Sequence, residues 1–139
     1  MGEATGSEGS RFGVNPGQVV QEFGYDDDVD DTLREGLEEA IGGELADEDY
    51  GDVTDAAIAW WREEDGDAQD LADLLVDAQA PLEDGGLIWV FTPKPGRPGH
   101  VRPAEVEEAA STAGLHATSA VSAAEDWAGI RLVARGRGR

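Results

Sequence analysis

The apolar run LIWVF at residues 87–91 constrains the fold more than any other part of this sequence. It is apolar at every position, and it stands between a Gly-Gly pair and a Pro/Gly-rich segment, residues 92–100. Such a run predicts a β-strand that is buried on both faces. Strands of this kind belong inside a sheet that helices cover on both sides, so the sequence predicts an α/β fold.

Three segments have the composition of helices that could cover the sheet. The apolar positions of the first recur every four residues, at Val29, Leu33, Leu37 and Ile41. Asp28 is expected to cap this helix, with Asp30 and Asp31 complementing the dipole in its first turn. A second helix is predicted after Asp67, and a third begins at Pro103, which suits a first helical turn.

The remaining strands are predicted over residues 19–23, 56–61, 115–122 and 129–135. The alternation of strands and helices indicates a mostly parallel sheet, with the last two strands as an antiparallel pair. We expect a single α/β domain over residues 14–135, a disordered leader over residues 1–13, and a disordered basic tail over residues 136–139.

The net charge of −21 is concentrated in the first part of the chain. Residues 1–84 hold 26 acidic residues against three arginines, whereas residues 85–139 hold 5 acidic residues against 7 basic ones. So negative a surface repels nucleic acid and anionic lipid, because binding either requires cations. A basic protein partner or mimicry of nucleic acid is one interpretation. A proteome-wide acidic habit, with one Lys against nine Arg, is the other.

Several classes of protein are excluded by composition. The chain has no cysteine, which rules out disulfides and thiolate metal sites. No apolar run approaches the ~18 residues that a membrane span requires. The N-terminal residues lack the apolar core of a signal peptide, so we expect a cytoplasmic location and no membrane partner.

The second half resembles a known enzyme family. The succession of a helix, LxxGGLIWVFTPK, a second helix, AGL, a strand and WxGxRLV over residues 56–135 is similar to the C-terminal half of class I S-adenosylmethionine-dependent methyltransferases. Most of residues 13–135 also resembles a family of small, acidic actinobacterial proteins of unknown function. These resemblances imply a truncated Rossmann-like fold, and the second supplies no activity.

The methyltransferase resemblance identifies a cofactor turn that departs from the family pattern. In that family the first strand ends in an acid, an apolar residue and G-x-G-x-G; Glu22 and Gly24 match its opening, but Asp26 and Asp28 replace the later glycines. The 14 residues between Ile41 and Ala56 are also too few for the family's next strand, helix and strand, whose acid holds the ribose. The turn is interpreted as a disabled site that binds no cofactor. A working variant and a coincidental strand–turn–helix are the alternatives.

Two loops at the carboxyl edge of the sheet are further candidates. One carries Lys94, Arg97 and His100, with Arg102 beside a helix N-terminus, and it suits a phosphate or carboxylate. The other, Glu63-Glu64-Asp65, offers carboxylates for acid–base work or magnesium, or is exposed loop charge. Ion pairing between the two loops is an equal alternative to an anion site. Asp26, Asp28 and Asp30 lack the Gly and Glu of a calcium loop, and neither they nor the two histidines indicate a metal site.

Three functions remain open. The first is a non-catalytic regulatory or binding protein that acts through protein contacts. The second is an enzyme, either a minimal methyltransferase or another small-ligand enzyme that uses the sheet edge. The third is an assembly protein that forms a homodimer through an open edge beside the first strand.

Overall fold

The computed structural model describes residues 11–134 and contains a five-stranded sheet with three α-helices. The strands are β1 (Val20–Phe23), β2 (Thr54–Trp60), β3 (Leu82–Pro93), β4 (Leu115–Ser122) and β5 (Trp127–Ala134). The helices are α1 (Asp31–Ile41), α2 (Ala68–Gln79) and α3 (Pro103–Thr112), and a 3-10 turn spans Glu63–Asp65. The predicted leader up to residue 10 and the tail lie outside the described residues.

The sheet has the predicted mixed arrangement. Its strand order is β1-β2-β3-β5-β4; the first three strands are parallel, and β5 runs antiparallel between β3 and β4. Helix α1 packs on one face, while α2 and α3 pack on the other. Alternate side chains of β3 lie on opposite faces of the sheet: Trp89 packs towards α1, whereas Ile88 and Val90 pack towards the other two helices. This explains why the run at residues 87–91 is apolar throughout.

Aromatic side chains fill the α1 side of the sheet. The Trp60 ring lies 4.9 Å from that of Trp127 and 5.0 Å from that of Phe91. Trp61, the first residue after β2, points to the opposite face, as expected where the alternation of the strand continues. Phe12 is 1% exposed and its carbonyl oxygen accepts from Trp89 Nε1 at 2.7 Å. Ordered packing therefore begins before residue 14, inside the predicted leader.

Two local predictions are wrong in their boundaries. Asp30, not Asp28, caps α1: its Oδ1 accepts from the Leu33 N–H at 2.8 Å, and the helix begins at Asp31. Strand β3 begins at Leu82, so the Gly-Gly pair is part of the strand beside an irregularity in the β2–β3 register. A Cβ on Gly86 would lie 2.8 Å from the Asp55 carbonyl oxygen, so glycine permits this close approach.

The predicted open edge beside β1 is partly covered. The Glu22 N–H donates to the Ala46 carbonyl oxygen at 2.7 Å, and the Ala46 N–H donates to the Val20 carbonyl oxygen at 2.8 Å. Apart from this bridge, residues 42–53 form neither strand nor helix, as their length predicts. Dimerisation through this edge stays a prediction. Within residues 11–134, no helix is both long and apolar enough to cross a membrane.

Candidate functional site

The carboxyl end of β1 holds a buried carboxylate that is fully engaged. Arg34 donates to Glu22 with two nitrogens, Nε to Oε2 at 2.7 Å and Nη2 to Oε1 at 2.9 Å. Trp60 Nε1 also donates to Glu22 Oε2, at 2.8 Å. The hydrogen bond to Glu22 raises the pKa of Arg34, with burial opposing it and the Glu22 charge reinforcing it. The acid that matches the cofactor motif is therefore bound within the protein.

Gly24 makes the turn that follows β1, and its backbone is also engaged. Its N–H donates to Glu48 Oε2 at 2.8 Å, and its carbonyl oxygen accepts from Arg62 Nη1 at 2.8 Å. Its φ is +77°, and a Cβ here would lie 2.3 Å from the Trp60 carbonyl oxygen. Glycine is required both for the left-handed backbone and for the contact with β2.

Arg62, just beyond β2, connects the turn to its surroundings. Its side chain is 7% exposed, and its Nε and Nη2 donate to the two carboxylate oxygens of Asp28 at 3.0 and 2.5 Å. Nη1 also contacts the Trp60 carbonyl oxygen at 3.2 Å and Asp65 Oδ2 at 3.4 Å. Burial lowers the pKa of Arg62, but the hydrogen bonds and charges of Asp28 and Asp65 outweigh it, so the pKa is raised.

The two aspartates of the turn have different roles. The hydrogen bond from Arg62 lowers the pKa of Asp28; burial opposes this shift, and the Arg62 charge lowers the pKa further. Asp28 is thus an ion-pair partner rather than the predicted helix cap. Asp26 makes a local contact, since its Oδ1 accepts from the Asp27 N–H at 2.7 Å. We call Glu22, Gly24, Asp28, Arg34 and Arg62 the filled edge.

The predicted acidic loop forms the 3-10 turn beside the filled edge. Asp65 Oδ2 accepts from the Arg62 N–H at 2.9 Å, whereas the side chains of Glu63 and Glu64 are exposed. The Glu63 N–H donates to the Gly99 carbonyl oxygen at 2.9 Å, so the acidic and cationic loops are neighbours. Among residues 11–134, no three His, Asp or Glu side chains are placed to hold a metal ion.

The side chains of the predicted cationic loop contact different partners. Lys94 Nζ donates to Ser122 Oγ at 2.6 Å, and Arg97 Nη2 pairs with Asp126 Oδ1 at 2.7 Å. His100 Nδ1 donates to the Pro93 carbonyl oxygen at 2.9 Å, and Arg102 is the exposed N-cap residue of α3. The ion pair predicted with Glu63–Asp65 is therefore made with Asp126 instead.

Two larger depressions lie outside the filled edge, and the second adjoins it through Glu48 and Asp65. One, of about 760 Å³, separates α1 from the β4–β5 turn, and Lys94 alone of the cationic-loop residues lines it. The other, of about 930 Å³, lies between β1, the segment 48–51 and α2. We call the second the acidic groove, because Glu48, Asp49, Asp65, Asp70 and Asp77 line it.

The sequence patterns did not identify the basic residues of the filled edge. Arg34 and Arg62 are two of the three arginines within residues 1–84, where 26 acidic residues surround them. That scarcity is the available signal, because so few cations among so many acids are candidates for specific ion pairs. Glu48 carries no such signal, since it is one of many acids in its segment.

Solved structures of several methyltransferases resemble this fold. A magnesium protoporphyrin IX methyltransferase from Synechocystis PCC 6803, with bound S-adenosylmethionine, has a TM-score of 0.60 and 11% identity; the match covers 96% of this chain and 79% of that one. The CcbJ methyltransferase from Streptomyces caelestis has a TM-score of 0.53 and 15% identity, with 97% of each chain covered. At these identities the likeness establishes the fold alone, a methyltransferase-like Rossmann fold.

Relatives at the sequence level come from mycobacteria. Uncharacterized proteins of Mycobacterium tuberculosis and Mycobacterium bovis are each 52% identical over 123 residues, which cover 88% of this chain and 75% of the relative. A family model described as "Protein of unknown function (DUF3052)" matches residues 9–136. The chain therefore belongs to the DUF3052 family of proteins of unknown function, and its α/β fold resembles that of methyltransferases.

Proposed function

We propose that this chain is a non-catalytic regulatory or binding protein that uses a methyltransferase-like scaffold to contact other proteins. The position of Arg62 carries the proposal. Its guanidinium binds the Gly24 carbonyl oxygen and the Asp28 carboxylate, at the turn where the methyltransferase resemblance places a cofactor. A buried, hydrogen-bonded arginine at this position leaves little space for the close backbone approach that the family's later glycines permit.

The first acid of the motif supports the same conclusion. Glu22 is 6% exposed and accepts three hydrogen bonds, two from Arg34 and one from Trp60. A ligand would have to displace a bidentate pair to reach this carboxylate, and such pairs are among the stronger hydrogen bonds in proteins. Residues 42–53 provide no strand whose acid could hold a ribose.

The charge distribution favours a basic partner. With a net charge of −21, the protein attracts cations over long range and repels nucleic acid phosphates. Charge complementarity of this kind raises association rates and selects among partners more than it raises affinity. The expected interactions are therefore with basic protein surfaces and are weakened by salt.

Thermal unfolding with S-adenosylmethionine and S-adenosylhomocysteine tests the absence of cofactor binding. Tryptophan fluorescence is a suitable signal, because Trp60, Trp89 and Trp127 are buried in one aromatic cluster. A ligand at 100 times its Kd adds about 2.7 kcal/mol to the free energy of unfolding, a shift of several degrees. We expect no shift for the native protein, and a clear shift would contradict the proposal.

The Arg62→Ala variant tests whether the Arg62 side chain is the reason that S-adenosylmethionine does not bind. This change removes the guanidinium from the turn but keeps the surrounding backbone. A ligand-dependent shift in the variant alone would assign the loss of binding to Arg62. Flat curves for both proteins would show that removing Arg62 alone does not restore binding.

A further inference from the structure

The acidic groove combines an apolar floor with a rim of carboxylates. Phe23 and Trp61 form part of the floor, and Leu74 of α2 adds a partly buried side chain. The rim carries Glu48 and Asp49 from the segment beside β1, with Asp65, Asp70 and Asp77 from the opposite side. None of the groove-lining residues in the described part of the chain is Lys, Arg or His.

The carboxylates of the rim differ in how far they are neutralised. Asp65 contacts Arg62, Asp70 takes part in the capping box of α2, and Glu48 accepts from the Gly24 N–H. Within residues 11–134, the exposed side chains of Asp49 and Asp77 pair with no cation. These two like charges face the groove without compensation, so the groove favours a positively charged guest.

A buried polar side chain that lines the groove provides a second, independent observation. Gln21 lines the groove and is 2% exposed. Its Nε2 donates towards the carbonyl oxygens of Asp47, Glu48 and Tyr50, which holds the segment beside β1 in place. Its Oε1, however, has no donor within the described residues. Buried acceptors normally have partners, so this oxygen indicates a place for a donor from a guest.

We propose that the acidic groove binds an arginine-bearing segment of a partner protein. A guanidinium supplies several donors in a planar fork, which suits both carboxylates and the Gln21 amide oxygen. Its flat face packs on aromatic rings, and Tyr50 and Trp61 line the groove. The carboxylates are not grouped to hold a metal ion among the described residues, so an extended organic cation fits better. This inference rests on the proposed function, since it names the contact surface.

Calorimetric titration with a penta-arginine peptide tests the groove. The informative variant is Asp49→Asn/Asp77→Asn, which removes two unpaired charges without breaking a hydrogen bond of the fold. Exposed ion pairs contribute modestly, and the loss of two predicts a Kd about fivefold higher. The matched control is Glu107→Gln/Glu108→Gln on the exposed side of α3, which removes the same charge elsewhere. We expect the control to change the Kd less than twofold.

A penta-citrulline peptide serves as the ligand control, because it keeps the shape of arginine but is neutral. We expect it not to bind at the concentrations at which penta-arginine saturates. Hydrogen exchange should show slower exchange of the amides at 47–51 in the presence of penta-arginine. The absence of penta-arginine binding, or equal weakening by both double variants, would overturn the proposal. Equal weakening by both double variants would mean that the net charge alone attracts the peptide.

The two proposals fail separately. Binding of S-adenosylmethionine by the native protein contradicts the non-catalytic function, whatever the peptide does. Failure of the peptide alone removes the acidic groove as the contact surface and leaves the engaged cofactor turn as evidence for the proposed function.

Discussion

The filled edge and the acidic groove are neighbouring regions that both carry acidic side chains, yet two carboxylates of the groove lack the arginine partners that the carboxylates of the filled edge have. At the filled edge Glu22 meets Arg34, and Asp28 meets Arg62. In the acidic groove Asp49 and Asp77 meet no cation of the described chain. The carboxylates of Glu22 and Asp28, which pair with arginines, stabilise the fold, whereas those of Asp49 and Asp77 are available to a partner.

The difference follows from burial. The Glu22 side chain is 7% exposed, so its charge is costly unless hydrogen bonds replace the lost water. The groove carboxylates on Asp49 and Asp77 are exposed, and water solvates them without help from the protein. Breaking a pair at the filled edge should therefore cost stability, while neutralising Asp49 or Asp77 should not.

The largest loss of stability is expected from Arg62→Met. The change leaves Asp28 and Asp65 without their cation and the Gly24 carbonyl oxygen without its donor. Removing one partner of a buried pair costs about 3–5 kcal/mol, and because Asp28 is half exposed we expect about 2–3 kcal/mol in chemical denaturation. Arg97→Met is the matched control, since both members of its pair with Asp126 are 52% exposed, and it should cost less than about 1 kcal/mol. Equal losses would remove the distinction between buried and exposed pairs.

Gly24→Ala should produce the next largest loss of stability. It tests whether the backbone of the turn, like its side chains, is held in place at the filled edge. Gly24 and Gly42 share a φ of +77°, but only at Gly24 would a Cβ collide with a backbone atom, the Trp60 carbonyl oxygen. Gly42→Ala should cost the ~1–2 kcal/mol of a left-handed L-residue. We expect Gly24→Ala to lower the midpoint of thermal unfolding clearly more. Equal midpoints would show that the turn can move away from β2.

The smallest effect is a pH dependence. The pKa of Asp28 is lowered in the folded protein from an ordinary value of 3.8, so its ion pair stabilises above that pH and is lost as the pH falls through the folded pKa. The stability difference between the native protein and Asp28→Asn should therefore shrink as the pH falls below about 4. The change in this stability difference with pH should stay below about 1 kcal/mol, because the Asp28 side chain is 54% exposed.

Asp49→Asn is the control for this measurement. Its carboxylate has no cation to lose among the described residues, so urea titrations at pH 3 and pH 7 should give no comparable change. A pH-dependent loss as large as that of Asp28→Asn would mean that the groove acids also stabilise the fold.

Local patterns sufficed to predict most of the fold. The apolar run at residues 87–91 became the two-sided strand β3, and the alternating C-terminal segments became the antiparallel pair β4–β5. These features depend on residues close in sequence. The capping of α1 was missed because several adjacent aspartates are equally good caps, and only the position of Arg62 draws Asp28 away from the helix.

The candidate site could be predicted only in part. Its turn was located by Glu22 and Gly24, but the contacts that fill it join residues far apart: Arg62 and Asp28 are 34 positions apart, and Trp60 and Glu22 are 38. The cationic loop was predicted to converge on an anion or on Glu63–Asp65, yet Arg97 pairs with Asp126. Spacing along the chain carries no information about which of 31 acids an arginine will meet.

By itself the sequence determined the kinds of elements, their order and the absence of a strand–helix–strand segment after α1, because periodicity and segment length are local properties. Only the tertiary structure decided that Arg34 pairs with Glu22, that Arg62 binds the turn after β1, and that Asp49 and Asp77 have no cationic partner among residues 11–134 beside an apolar floor. The physical reason is that burial and charge pairing depend on distances through space, which the packing of β1, β2 and α2 sets.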